Sequence, residues 1–177
     1  MHPMIASWNQ VAEAFGQRLD AMSADKIDAR TPCDQWSCAE LVEHATSVQH
    51  SVGASLGVTP DADAAPAASW QGFRTALVEA LSADGALEEE VDTPFGMRPR
   101  AEALGIPMMD MLVHTWDLAR TLDVDDSLPE EIVAHAFDQL KPMDAMIRQP
   151  GMFAEKVEAP AGASLQDQFI AFTGRQP

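Results

Sequence analysis

An all-α fold is what this 177-residue sequence predicts, and three observations predict it. Apolar residues recur at steps of three and four through several long segments, as they do on one face of a helix. Alanine, leucine, methionine, glutamate and aspartate dominate those segments. The β-branched and aromatic runs that announce strands are scarce, since aromatic residues make up only 6% of the chain and tyrosine is absent. With 46% apolar residues the length suits one domain with a substantial core, so 1–177 reads as a single domain.

Ile5, Trp8, Ala12, Phe15, Leu19 and Met22 mark a first helix over roughly residues 4 to 22. A polar link through Arg30-Thr31-Pro32-Cys33-Asp34 follows. Ser37 and Glu40 then form the Ser-x-x-Glu pattern of a capping box, and Trp36 ahead of the cap is placed to pack on Leu41 as a hydrophobic staple. The second helix begins there. Leu41, His44, Ala45, Val48, Val52 and Leu56 share its apolar face, so His44 stands on the inward stripe while His50 falls off it. Val58 to Ala68, rich in alanine, proline and aspartate, reads as a loop. Trp70, Phe73, Leu77 and Leu81 mark a third helix, capped by Ser69 and finished near Gly85.

Val91 to Arg100, with Pro94, Gly96 and Pro99, breaks the helical period and reads as an irregular or short extended crossover. A fourth helix runs from about 101 or 107 to Leu122, with Pro107 starting or kinking it. Met108, Met111, Leu112, Thr115, Ala119 and Leu122 form its main apolar face, and Asp110, His114 and Asp117 form a polar line beside it. Ser127 and Glu130 repeat the capping-box pattern ahead of a fifth helix through Val133, Phe137 and Leu140, which Pro142 bends or interrupts. Beyond Pro150-Gly151 come a short extended stretch near Val157 and a last amphipathic turn or two over Leu165 to Phe172.

Eleven basic residues against twenty-eight acidic ones give a formal charge of −17, which repels phosphate backbones and anionic membrane surfaces. Nucleic-acid and membrane partners are therefore not expected. No apolar run reaches the length of a membrane span and Met1-His2-Pro3-Met4 lacks the features of a signal peptide, so a cytoplasmic location is expected. Cys33 and Cys38, five apart around Trp36, have no second pair to complete a zinc knuckle, and their spacing is not the two-residue gap of a thioredoxin-like motif; thiols are the simplest reading. Self-association as a homodimer stays open.

Asp110 and His114 are four apart, one turn from each other on the same helix face, and can reach a common ion. His44 from a neighbouring helix completes a two-histidine, one-carboxylate set with positions left for water or substrate. Alone, the aspartate–histidine pair would more often be a solvated ion pair, and a single histidine on an apolar face a hydrogen-bonded core residue. By the same measure, Asp117 has a surface partner available in Arg120, and Trp116 supplies packing area. No catalytic residue is assigned.

Thr31-Pro32-Cys33 followed by Trp36 and Leu41-Val42-Glu43-His44, then Asp110 to Arg120, then Ala171-Phe172-Thr173-Gly174-Arg175, resemble the DinB-like superfamily. The branch they resemble is that of proteins related to the N-terminal domain of mycothiol-dependent maleylpyruvate isomerase. The resemblance implies an up-down-down-up four-helix bundle, here with additional short C-terminal elements. It also implies a divalent metal near one end, held by His44 from the second helix and by Asp110 and His114 from a later one. In much of the superfamily the residue matching Asp110 is histidine or glutamate, so the shorter aspartate is a departure.

Zinc is the first expectation for the ion, with nickel or iron as alternatives. The leading functional reading is a metal-dependent low-molecular-weight-thiol transferase or isomerase. It would take mycothiol or a related thiol, and a small-molecule substrate, with Asp117 or Glu43 orienting the histidines. The competing readings are a non-enzymatic metal-binding stress-response bundle, a non-haem iron enzyme and a metal-free helical interaction module.

Overall fold

A computed structural model describes residues 1–33, 36–93, 96–149 and 152–177. It is mainly helical, as the periodicity predicts. Helix α1 (Pro3–Asp20) opens with Pro3 in its first turn and His2 Nδ1 accepting from the Met4 amide. Its inward stripe of Ile5, Trp8, Ala12, Phe15 and Leu19 is buried. Helix α2 (Cys38–Ala54) starts at the predicted capping box, with Ser37 accepting from the Glu40 amide while the Glu40 carboxylate accepts from Ser37. Helix α3 (Pro66–Leu81) starts earlier than predicted. Pro66, whose ring presets a helical φ, takes the first position, and Ser69 bonds the Asp61 carbonyl instead of capping. The helix ends at Leu81 with Ser82 as its cap, short of Gly85.

The crossover is a minimal antiparallel pair, β1 (Glu90–Val91) and β2 (Arg98–Pro99), joined to the short helix α4 (Arg100–Ala103). Pro94 of the predicted crossover lies outside the described residues. Helix α5 (Gly105–Leu122) follows with the break at Leu104, so it begins two residues before Pro107 rather than at it. At the third position of α5 its missing amide costs nothing, because first-turn amides have no intrahelical acceptor. Its carbonyl accepts from the buried Gln49 amide.

Helix α6 (Glu130–Leu140) is capped by Pro129, not by Ser127. Ser127 is diverted into a local turn, its amide and hydroxyl both bonding Asp125 Oδ1. Helix α6 ends at Leu140 and a 3-10 turn containing Pro142 (Lys141–Met143) follows, so the helix is interrupted just ahead of the proline. Val157 donates its amide to Ala171 without forming a regular strand, and α7 (Leu165–Phe172) closes the fold against α6.

Among the four long helices, α1 packs on α5 and α3, and α2 packs on α5 and α3, so the contacts close a ring. Trp8, Phe15, Trp70, Leu41, Met111 and Trp116 fill its interior. Close approach of α2 to α3 depends on Gly53, where a Cβ would stand 2.5 Å from the Phe73 ring and 2.9 Å from the Val58 carbonyl. No helix among the described residues is long and apolar enough to cross a membrane.

Candidate metal centre

The α2–α5 seam brings His44, Asp110 and His114 together. One ligand-capable atom from each lies within 4.8 Å of the others. His44 projects from the middle of α2 at the step after the buried Leu41, while Asp110 and His114 stack one turn apart on α5. Both imidazoles address one carboxylate oxygen: His44 Nε2 lies 3.3 Å and His114 Nε2 3.5 Å from Asp110 Oδ1. The other oxygen, Oδ2, is buried and has no hydrogen-bond partner among the described residues. An unsatisfied buried carboxylate oxygen is costly unless something else completes it.

His114 is locked from behind. Asp117, fully buried, accepts from His114 Nδ1 through Oδ2 at 2.9 Å. It also takes a two-pronged bond from Arg175, Nε to Oδ1 at 3.1 Å and Nη2 to Oδ2 at 2.9 Å. A carboxylate so held can only accept, so Nδ1 carries a proton and Nε2 is the ring nitrogen turned toward Asp110 and His44. Arg175 is fixed in turn by donating from Nη1 to the Thr173 carbonyl at 3.0 Å.

Burial alone would raise the Asp110 carboxyl, but the hydrogen bonds and charge of His114 and His44 more than offset it and hold the carboxyl well below the usual range. Burial likewise would lower His114, and Asp110 and Asp117 reverse it, leaving the imidazole above its ordinary value. Asp117 is kept ionised against its burial by His114 and Arg175. The cluster is thus a concentration of negative charge facing two imidazoles, a donor set of hard oxygen and borderline nitrogen that suits a divalent first-row cation.

Two parts of this arrangement were not assigned from sequence. Trp36, expected to act as a staple on Leu41, stacks its ring on His44 with centroids 4.3 Å apart and 27° between planes, and lies 5.4 Å from His114. Arg175 sits in a segment used only for family resemblance, 58 residues from its partner Asp117, and nothing in local spacing links the two. Asp117 does not pair with Arg120, which instead reaches Asp126 and lies over the Trp116 ring. Glu43 is exposed, leaving Asp117 as the residue that orients a histidine. His50 packs edge-on against Phe73 and His135 is exposed.

A family model described as the mycothiol maleylpyruvate isomerase N-terminal domain matches residues 8–68, a span that includes His44 and Trp36 but not the α5 pair. Two Mycobacterium tuberculosis proteins, the uncharacterized proteins Rv0738 and MT0763, are each 30% identical to the chain, covering 99% of it and 98% of their own length. No solved structure matches it.

Proposed function

The chain belongs to the family of the mycothiol maleylpyruvate isomerase N-terminal domain, a DinB-like type of domain associated with metal binding and mycothiol, and from that premise we propose that His44, Asp110 and His114 hold a divalent cation in a thiol-dependent transferase or isomerase. The observation that carries this reading is Asp110, whose Oδ1 faces two imidazole nitrogens while its buried Oδ2 has no partner among the described residues. Most buried carboxylate oxygens have a hydrogen-bond partner, and this one has none among the described residues. Zinc is the first choice of ion, with nickel and iron as alternatives.

A divalent ion in this position supplies Lewis acidity, which makes a nearby thiol or water more acidic and polarises a carbonyl. The protein's own residues do the rest. Asp117 and Arg175 keep His114 in one tautomer and one orientation, so its Nε2 is prepared as a ligand before anything binds. Trp36 covers one face of His44 and excludes water from that side. The side chains of His44 and Asp110 remain 33% and 29% exposed, which leaves the site an open approach for a small thiol and its electrophile. The proposal also takes 1–177 as one domain and the ring of α1, α3, α2 and α5 as an up-down-down-up bundle, which the pairing of those helices supports.

The test is a cobalt-substituted sample titrated with mycothiol, bacillithiol and glutathione, each followed by sulfur-to-metal charge-transfer absorption. A new band with one thiol, absent in Asp110→Ala, is expected. Stoichiometric cobalt with no response to any thiol would move the protein to the non-enzymatic metal-binding reading. Failure of the wild type to retain any of cobalt, zinc, nickel or iron would overturn the metal site itself.

A further inference from the structure

From the α2–α5 seam next to the candidate metal centre, we infer a binding cleft for the uncharged, apolar body of a small organic molecule. Its volume is about 490 Å³, within the range of small-molecule sites. The walls continue the two helical stripes that carry the ligands. Val48 stands four residues beyond His44 on α2, and Pro107 and Ala103 stand three and seven residues before Asp110. At 1.5 Å of rise per residue the cleft begins roughly 5 to 6 Å from the metal-ligating positions and runs away from them. Val91 of β1 closes its outer side, and the exposed Ile106 extends its apolar rim.

The class of ligand follows from how the polar groups in the cleft are already spent. Ser51 and Ser55 donate back to the carbonyls of Ser47 and Val52, as helix hydroxyls do. The one cation among the described lining residues, Arg100, is buried and paired: Nε to the Ala86 carbonyl at 3.0 Å, Nη1 to Ser55 Oγ at 2.7 Å and Nη2 to the Glu89 carboxylate at 2.6 Å. Its charge is neutralised where it stands. Asp92, exposed at the lip, adds a negative charge to a chain whose formal charge is already −17. An anion has no partner to win there and meets repulsion. An apolar body loses nothing polar on entry and gains by leaving water. The reactive end of such a molecule, laid along the seam, reaches the open side of His44 and Asp110.

What the cleft presents its ligand to rests on the metal-site reading; what it binds does not, and the experiment separates the two. The probe is N-phenyl-1-naphthylamine, uncharged and fluorescent in apolar surroundings, with the anionic anilinonaphthalene sulfonate as its charged counterpart. The uncharged dye is expected to bind the full chain at least fivefold more tightly than the sulfonate. Ala103→Phe and Ser51→Phe, which fill the cleft from opposite walls, each weaken it about tenfold or more, while Thr75→Phe on the exposed face of α3 does not. Thermal melts of the variants establish that they fold. Cobalt added to the wild type quenches the bound dye, and in His114→Ala the dye binds but cobalt leaves it bright. Equal binding by all variants, or preference for the sulfonate, overturns the cleft. Dye binding that responds to the cleft variants in a protein that retains no cobalt upholds the cleft and overturns the metal reading. Cobalt verified in place without any quenching overturns the link between them.

Discussion

Asp110 and Asp117 stand two turns apart on α5, one on each side of His114, and their surroundings are opposite. Asp117 has every oxygen bonded, to an imidazole and to both prongs of Arg175, and no exposure. Asp110 shares one oxygen between two imidazoles and leaves the other buried and without a partner among the described residues. One aspartate is closed off by the protein; the other is left incomplete by it. The difference separates architecture from function on a single helix. A carboxylate that the chain has fully satisfied supports the fold, and one that it has desolvated without satisfying is held ready for something the chain does not supply.

The largest effect that could break this contrast is on stability. Arg175→Ala leaves Asp117 as a buried charge with only His114 beside it, and is expected to cost about 3–5 kcal/mol in denaturant unfolding. Asp110→Asn, measured with chelator present, is expected to cost clearly less, because the carboxylate that His44 and His114 hold ionised through Oδ1 is left incomplete at Oδ2 among the described residues. Equal losses in both variants would mean that both aspartates are structural.

Next comes metal affinity, where the order reverses. His114→Ala and Asp110→Ala are expected to lose at least about a hundredfold in calorimetric affinity for zinc. His50→Ala and His135→Ala, neither of them in the cluster, keep it. Asp117→Asn falls between, at about 10- to 100-fold, because it frees the His114 ring without removing a ligand. Uniform loss across all five variants would point to general damage. Affinity also falls on acidification, since Asp110 and Asp117 favour the protonated imidazole of His114 and a proton there competes with the ion.

The same two aspartates show what sequence can and cannot carry. The cluster of His44, Asp110 and His114 was legible because each member sits on a helical stripe whose phase follows from apolar spacing: His44 after Leu41, Asp110 and His114 one turn apart. The capping box at Ser37 was legible for the same local reason. What failed were cases where a second local rule won. Pro66 took the start of α3 from Ser69, and an aspartate turn took Ser127 away from the α6 cap. Arg175 depends on long-range docking, and the stacking of Trp36 on His44 on how the residues just ahead of α2 fold back over its first two turns; no apolar spacing encodes either. Helical spacing reports which face a residue occupies, but not which distant residue will meet it there.

The smallest effect sharpens the contrast through histidines. His114 and His50 are both drawn out of water, yet only His114 has carboxylates beside it. Burial therefore lowers His50, whereas Asp110 and Asp117 raise His114 against its burial. The two should tilt the stability of the metal-free protein in opposite directions. An imidazole whose folded pKa lies below its unfolded value of about 6.5 resists protonation in the native state, so its neutral form favours folding above that pH and the advantage declines as the pH falls below it. An imidazole raised on folding does the reverse: its contribution is full below about 6.5 and is lost as the pH rises through the higher folded value. His50→Leu keeps the apolar contact with Phe73 and removes only the first of these terms. With chelator present, the variant is expected to lose less stability than the wild type between about pH 6.5 and 5, by a small margin because His50 is only half-buried. Its behaviour above pH 6.5 should be unchanged. A variant whose decline on acidification matches the wild type would show that burial without a charged neighbour leaves no titration signature at His50, and that the acid sensitivity arises elsewhere.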